Sequence, residues 1–534
     1  MERTVLDTSH WPVDTSEEVL ETTVGHILRS AAERAPGAVA LVEGVPDRAT
    51  RRRWTFERLL EEAERTARAL LGRFQPGERV AVWANNIPEW LLLEYGCALA
   101  NLTLVTVNPA FRPRELAYVL GQSRSAGVFL VAEFRGNPLA ASLESVRGDL
   151  PDLREVLRFE DWEAFCGSGS PVQRLPEATP NDIAQIQYTS GTTGFPKGAM
   201  LHHRGITNNS RFYLGRRGES ARGAAINPMP LFHAAGSCMA ATGCPQFLDA
   251  HVLVPYFDPG LVLELLESER AAALGAVPTM LIAMMEHPDF RGRDLSRLRS
   301  VVSGGSTVPA GLVRRIEREL GVEFTIVFGM TEASPVITQT WPADTPEDKA
   351  ETIGQPLPRA EVEIVEPLSG EAVPCGQVGE LRVRGYQVMR GYYEKPEETA
   401  ETVAGGWLRT GDLCSMDERG YCRVEGRLKD MIIRGGENIY PREIEELLFS
   451  HPEVADIAVI GVPDDRWGEE VAAFVRPAAG RRPDRDELFR LCRENLSPQK
   501  TPRVWVFVEE FPLTASGKIQ KYVLRERYQS GELR

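Results

Sequence analysis

Residues 188 to 198 read Tyr188-Thr189-Ser190-Gly191-Thr192-Thr193-Gly194-Phe195-Pro196-Lys197-Gly198. Four aliphatic hydroxyls, three glycines and one lysine fall within this run. The residues before it, Ile183 to Tyr188, are apolar enough to predict a strand, so the run is a loop that begins where a sheet edge stops. Glycines let backbone N–H groups close around an anion with no Cβ in the way. The hydroxyls add donors and Lys197 adds a mobile positive charge, a combination that suits a polyphosphate. The spacing is not that of a Walker loop, which needs G-x-x-x-x-G-K-[ST].

At 534 residues the chain is too long for one core and predicts at least two domains. Hydrophobic residues make up 43% and charged residues 26%, an ordinary globular balance. The net charge of −15 argues against nucleic acid or an anionic membrane surface as partner. Eight cysteines are scattered without a C-x-x-C pair, which predicts reduced thiols in a cytoplasmic protein and no zinc framework. The start of the chain, with acids and no apolar run, does not read as a signal peptide. The longest apolar stretch, Ala271 to Met285, is broken by Gly275 and Pro278 and predicts a buried segment with no membrane span.

The first part alternates helix and strand. Leu59, Leu60, Ala63, Ala67, Leu70 and Leu71 share one face of a helix over 57–72. Strands over 79–84, 102–107 and 127–132 alternate with helices over 88–100 and 112–121. Near-continuous apolar strands between helices predict parallel sheets covered by helices, an α/β class. The pattern recurs over 250–302. Arg51-Arg52-Arg53 reads as a solvated turn between strands. From about 350 to 428, short strands between Gly/Pro turns predict a β-rich subdomain. Helix, strand, strand, helix and strand then follow, a compact α+β unit.

Further motifs sit at predicted strand ends. Ser303-Gly304-Gly305-Ser306-Thr307 follows one strand, and Phe328-Gly329-Met330-Thr331-Glu332 is a loop after another. Asp412 closes Trp407-Leu408-Arg409-Thr410-Gly411-Asp412 at a predicted turn, and Arg427 opens Arg427-Leu428-Lys429-Asp430. Arg434-Gly435-Gly436-Glu437-Asn438-Ile439 has a double glycine suited to close backbone approach, or to a simple turn. Pro512-Leu513-Thr514-Ala515-Ser516-Gly517-Lys518 places a lysine near the end of the chain.

This set of motifs, in this order and over almost the whole chain, resembles the adenylate-forming enzymes: acyl-CoA synthetases, firefly luciferase and peptide-synthetase adenylation domains. The run 429–441 looks most similar to the medium-chain fatty-acyl-CoA synthetase branch. The resemblance implies a large N-terminal AMP- and acyl-binding domain (1–428) with several subdomains, and a small mobile C-terminal domain (429–534). It implies ATP-dependent activation of a carboxylic acid, then transfer to CoA, with Mg²⁺ as cofactor. In that reading Thr189, Ser190, Gly191, Thr192, Thr193, Gly194 and Lys197 hold phosphates. Gly304, Gly305 and Ser306 wall the adenine, Phe328 stacks on it, and Gly329 and Met330 continue that wall. Thr331 contacts phosphate and Glu332 helps hold the metal.

Asp412 and Arg427 reach the ribose, Lys518 bridges carboxylate and α-phosphate, Lys429 is the hinge, and Gly435, Gly436 and Glu437 border the CoA channel. His233, in Pro230-Leu231-Phe232-His233-Ala234-Ala235-Gly236, borders the acyl carboxylate. Peptide-synthetase domains carry an aspartate there, so an amino acid is disfavoured. Ala234, Ala235 and Gly236 are expected to leave room for a medium-chain or branched fatty acid, or an aryl acid. A homodimer is allowed for, with no nucleic acid and no membrane span. Two alternatives stay open: an activated intermediate passed to a carrier protein, an amine or nitrite, and a non-catalytic nucleotide-binding member. The net negative charge must be offset locally where polyanions bind; one unit charge at 4 Å is worth about 4 kcal/mol at an effective dielectric near 20.

Overall fold

The computed structural model describes residues 5–169, 174–189, 196–305, 308, 310–435, 437–464, 466–513 and 519–533. Among these residues four sheets organise the chain. The first has the order Glu155–Arg158, Gly127–Leu130, Arg79–Trp83, Thr103–Thr106, Ile183–Thr189, Lys197–His202, parallel except for its last pair. The second has nine strands. Its six parallel members run Glu323–Gly329, Ser300–Gly304, Ala273–Gly275, Ala224–Asn227, Ala250–Leu253 and Val39–Glu43, with antiparallel strands at both edges. Helices cover these sheets, as the α/β reading predicted.

Local signals set the helix starts. Thr55 caps Phe56–Leu71 by accepting from the Arg58 N–H, and Asp258 caps Pro259–Ser268 in the same way. Proline opens Pro88–Leu99, where its missing N–H costs nothing. That helix is buried on nearly every side, which explains why it is apolar all round apart from Glu89 and Glu94.

The β-rich segment forms a third, antiparallel sheet built on Ala360–Val365, Gly379–Gly385, Trp407–Met416 and Cys422–Arg427. A strand the sequence did not announce, His10–Trp11, adds itself to one edge. After Lys429 the chain has a sheet of its own, Glu437–Ile439, Ile432–Arg434, Gly468–Pro477 and Val454–Asp464, with Val504–Phe507 parallel to Gly468–Pro477. Apolar clusters lie on both faces, one under Pro441–Phe449 and Arg485–Asn495, the other under Lys521–Gln529.

Two expectations are corrected. The arginine triplet is not a solvated turn. Arg51 is buried, paired with Glu264 and, at 3.1 Å, with Glu269; Arg52 meets Glu43 and Glu89, and Arg53 meets Glu269. The triplet is an electrostatic staple onto helix Pro259–Ser268, and its acidic partners lie more than 200 residues away in the chain except Glu43 and Glu89. Asp412 does not close a turn either. It lies inside the long strand Trp407–Met416, where Gly411 takes φ +70° and the pairing register shifts on either side. A bulge re-aims a side chain as a turn would, and that is why the local sequence looks alike.

One buried acid stands out. Glu94, in Pro88–Leu99, is 2% exposed; its Oε1 accepts from Gln185 Nε2 at 2.6 Å, and its Oε2 has no partner among the described residues. Burial holds this carboxyl well above its ordinary 4.5. The folded protein therefore keeps a proton that the unfolded chain releases above about pH 4.5, so stability falls as pH rises through that point, by up to about 1.4 kcal/mol per unit. Glu94→Gln is expected to raise the thermal midpoint at pH 8, with the gain closing as pH falls to about 4; calorimetry across that range checks it.

Candidate active site

The parallel edge of the nine-stranded sheet supplies bare backbone. Strand Ser300–Gly304 lies beside Glu323–Gly329 with Gly304 opposite Val327. A Cβ on Gly304 would stand 2.5 Å from the Val327 carbonyl oxygen, and one on Gly329 would stand 1.9 Å from that of Pro335. Gly305 takes φ +81°, a conformation that favours glycine. Phe328 and Gly329 still belong to the strand, so the expected loop begins only at Met330. Phe328 is half-buried and packs, with Met330, on the apolar cluster of the antiparallel sheet. Ser306 lies outside the described residues.

Glu332 is where separate parts of the chain meet. It sits in the short turn Thr331–Ala333, 5% exposed. Its Oε1 accepts from Thr189 Oγ1 at 3.2 Å and from the Tyr392 hydroxyl at 2.8 Å. Thr189 ends the strand that leads into the glycine-rich run, and Lys197, its register partner, starts the returning strand. The Lys197 ammonium stands 5.1 Å from the centroid of the Tyr392 ring, a cation–π contact. Thr189, Lys197 and Glu332 are thus brought together as the motifs implied. Ser190, Gly191, Thr192, Thr193 and Gly194 lie outside the described residues.

Tyr392 is a residue sequence reasoning missed. It follows Gly391, whose φ is +133°, on a strap from Met389 to Tyr393 that runs beside Lys197–His202. The Met389 N–H donates to the Glu332 carbonyl at 2.9 Å, and the Tyr393 N–H to Gly198 at 2.8 Å. Burial, then the Glu332 carboxylate, pushes the Tyr392 phenol up, so it stays a proton donor. Nothing in the local sequence marks it; only the returning strap puts it there.

Asp412 and Arg427 are register partners on adjacent antiparallel strands, and Arg427 Nε lies 3.0 Å from Asp412 Oδ1. Asp412 is 7% exposed while the Arg427 side chain is largely in solvent. Lys429 is exposed in the turn Leu428–Asp430. Gly435 links strands Ile432–Arg434 and Glu437–Ile439 at φ +61°, and a Cβ there would stand 2.8 Å from Trp467. Glu437 has its backbone in that second strand; Gly436 and Lys518 lie outside the described residues.

His233 is exposed, and its Nδ1 accepts from the Ala235 N–H at 3.1 Å. The expected room beside it is corrected: Ala234 is fully buried, and a Cβ on Gly236 would stand 2.2 Å from the Pro230 carbonyl oxygen. Those small residues serve close packing of the turn. Ala235–Ala241, which includes Gly236, is π-helical, a conformation that clusters at functional sites. Below it, Gln187 Nε2 donates to Ser237 Oγ at 3.0 Å and to Gln185 Oε1 at 2.7 Å, and Gln185 reaches Glu94. This buried polar chain fixes the His233 turn against the strand that ends at Thr189.

Glu332, just past the strand that ends at Gly329, is bonded to Thr189, and the class is given by comparison with known families. The pattern of the family described as "AMP-binding enzyme" matches residues 28–393, and that of "AMP-binding enzyme C-terminal domain" matches 443–518. The chain belongs to the AMP-binding enzyme family. It is 39% identical over 540 aligned residues to the putative acyl-CoA synthetase YngI of Bacillus subtilis (strain 168), covering 96% of this chain and 98% of that one. It is 36% identical to the human mitochondrial medium-chain acyl-CoA ligase ACSF2, covering 96% and 88%. The ATP-bound crystal structure of MatB from Rhodopseudomonas palustris matches with a TM-score of 0.85 and 28% identity, over 96% and 99%.

Tyr392→Phe keeps the ring under Lys197 and removes only the hydrogen bond to Glu332. Such bonds to a charged group are worth about 1.5–3 kcal/mol. The expected result is a fall of roughly ten- to a hundredfold in ATP-dependent pyrophosphate release, with the thermal midpoint little changed; a continuous pyrophosphate assay beside a melting curve checks both.

Proposed function

We propose that this enzyme joins a carboxylic acid to CoA in two half-reactions within one cleft. In the first, a carboxylate oxygen attacks the α-phosphorus of ATP, the bond to the bridging oxygen breaks, and pyrophosphate leaves. In the second, the CoA sulfur attacks the acyl carbon, the bond to AMP breaks, and the thiol hydrogen leaves as a proton. The observation that carries this reading is the meeting of Thr189, Lys197 and Tyr392 around Glu332, which gathers donors and a cation at one strand end. Protein work in such a reaction is positioning and charge neutralisation.

The roles are assigned from the motifs, supported where the residues are described by the geometry above. Lys197 and Thr189 take phosphate; Gly304, Gly305 and Gly329 give a flat wall for adenine, and Phe328 gives it an aromatic neighbour. Asp412, with Arg427 beside it, offers two acceptor oxygens to ribose hydroxyls. Lys518 is assigned to the first half-reaction, Lys429 to the hinge between domains 1–428 and 429–534, and Gly435, Gly436 and Glu437 to the CoA side. His233 is assigned to the acyl carboxylate.

Mg²⁺ fits Glu332. Among the described residues the one group of three acid or histidine side chains close enough to share an ion is His10, Glu361 and Glu363, and Arg384 and Arg382 already bind those two carboxylates. An ion at Glu332 would thus draw on one carboxylate and the nucleotide's own phosphates, the usual magnesium pattern. When bound it offsets phosphate charge.

The acid is proposed to be a medium-chain or branched fatty acid or an aryl acid, supported by apolar Val302, Val327 and Met239 clustering beside the His233 turn. No helix among the described residues is long and apolar enough to cross a membrane. Seven of the eight cysteines are buried free thiols, which supports a reducing compartment such as the cytoplasm, and the working unit is proposed as a monomer or homodimer.

The test is Lys429→Pro, with pyrophosphate and thioester read separately. Proline fixes φ near −65° and resists the backbone change a hinge needs. The expected outcome is intact pyrophosphate release with thioester formation lost and acyl-adenylate accumulating. Equal loss of both steps in a folded variant would remove the hinge role. Wild-type protein that releases pyrophosphate with acids yet makes no thioester would show that the acceptor is not CoA.

A further inference from the structure

The turn that carries His233 belongs to one sheet and is held by another. It follows Ala224–Asn227, a strand of the nine-stranded sheet, and leads into the π-helical segment. Its anchors come from the carboxyl ends of neighbouring strands in the first, six-stranded sheet. Thr106 ends the strand Thr103–Thr106, and its Oγ1 donates to the Phe232 carbonyl at 2.9 Å. Gln187 is the register partner of Thr106 on the adjacent parallel strand, and its Nε2 reaches Ser237 Oγ. Asn86 stands just past Arg79–Trp83, the strand on the other side of Thr103–Thr106. Its Nδ2 donates to the Met229 carbonyl at 3.0 Å and to the Val254 carbonyl at 2.9 Å, while its Oδ1 accepts from the Leu231 N–H at 2.8 Å. All three side chains are buried.

This is more fastening than a connection needs. Asn227 already closes the turn on itself: its Oδ1 accepts from the Met229 N–H at 2.9 Å and its Nδ2 donates to the Ala235 carbonyl at 2.8 Å. Connecting segments are ordinarily the more mobile parts of a fold. Here Met229, Leu231 and Phe232, which lead up to His233, are pinned by side chains from outside their own sheet. In open α/β sheets ligands sit beyond the carboxyl ends of the strands, where Thr106 and Asn86 lie. One neighbouring strand also delivers Thr189 to Glu332, two residues beyond Gln187. The first sheet is thus the shared reference for the His233 turn and for the Glu332 junction. Attack of a carboxylate on phosphorus needs the reacting atoms held about 3 Å apart, so the two ends of the site must be set against one frame.

We infer that Thr106 and Asn86 are positioning residues of the acid-activating half-reaction, which set where His233 meets the acyl carboxylate. Neither touches the reacting atoms; both act through the backbone that precedes His233. Because His233 Nδ1 accepts from the Ala235 N–H, the neutral ring carries its proton on Nε2, a donor suited to a carboxylate. Such a donor serves only at a narrow distance and angle, and the bonds to Met229, Leu231 and Phe232 fix both. Without the Thr106 hydroxyl, the carbonyl next to His233 loses this bond and the ring is free to shift. The inference rests on the reading above that places His233 at the acyl carboxylate.

The experiment compares Thr106→Val, which keeps the branched shape and removes the hydroxyl, with Thr106→Ser, which keeps the hydroxyl. Pyrophosphate release is titrated against ATP and against octanoate or benzoate, whichever the wild type turns over faster. Thr106→Val is expected to raise the KM for the acid about tenfold, the worth of one buried hydrogen bond, with the KM for ATP unchanged and Thr106→Ser close to wild type. In a His233→Ala background Thr106→Val should add little further loss, because residues that act through one contact are not additive. If Thr106→Val fails to fold, Asn86→Ala makes the same comparison. An unchanged KM for the acid, a KM for ATP that rises with it, a Thr106→Ser variant as impaired as Thr106→Val, or full additivity with His233→Ala overturns the inference alone. His233→Ala with wild-type acid kinetics overturns the His233 assignment and the inference with it. Wild type that releases no pyrophosphate with either acid overturns the substrate reading beneath both.

Discussion

One carboxylate oxygen holds three parts of this molecule in register. Glu332 Oε1 takes a hydrogen bond from Thr189, at the end of the first parallel sheet, while its own backbone continues the second. The other bond comes from Tyr392, on a strap that leaves the antiparallel sheet. A buried carboxylate is costly unless its lone pairs are used. Here Thr189 and Tyr392 use those lone pairs, and losing either donor would leave the buried carboxylate less satisfied. The strand end at Thr189, the strand that ends at Gly329 and the strap therefore meet at a single acceptor.

Charge poses the complementary problem. Acids outnumber bases by 15, while the proposed ligands are polyanions. Many arginines are unavailable to them. Arg51 is committed to Glu264 and Glu269, Arg434 to Glu470, and Arg217 to Asp249, all at or near full burial. Lys197 is placed differently, over an aromatic face beside Glu332. A compact ammonium on a flexible stem can follow a moving phosphate in a way that a planar, bidentate guanidinium cannot. In the proposed reading, local cations and a divalent ion, not the long-range field, hold the nucleotide.

The polar residues beneath the site divide into two kinds. Gln185, Gln187 and Ser237 are bonded to one another and set the His233 turn on its strand. Ser300, Thr325 and Gln339 sit at equal depth and their side chains have no such partners among the described residues. Fully connected networks specify structure, whereas unspent donors and acceptors are a feature of binding surfaces. The contrast lies within one layer of the fold.

The alternation of helices and apolar strands was enough, from the residues alone, to set the α/β class, because period and burial are local properties of a sequence. The strands that lead to Thr189 and toward Met330 were legible for the same reason: a strand followed by residues with little or no side chain is a local pattern. What the sequence could not show was pairing across long separations. Tyr392 reaches Glu332 only because a strap returns beside Lys197–His202, and Arg51 is buried only because helix Pro259–Ser268 offers it Glu264. Asp412 read as a turn because a glycine before an acid looks the same in a bulge. Gly236 read as open space because a missing side chain leaves room only if the neighbouring backbone stays away, and here it does not. Residue type declares which groups a chain has to spend; the tertiary contacts decide where each is spent, since a buried polar atom is satisfied only by whatever the fold brings within about 3 Å of it.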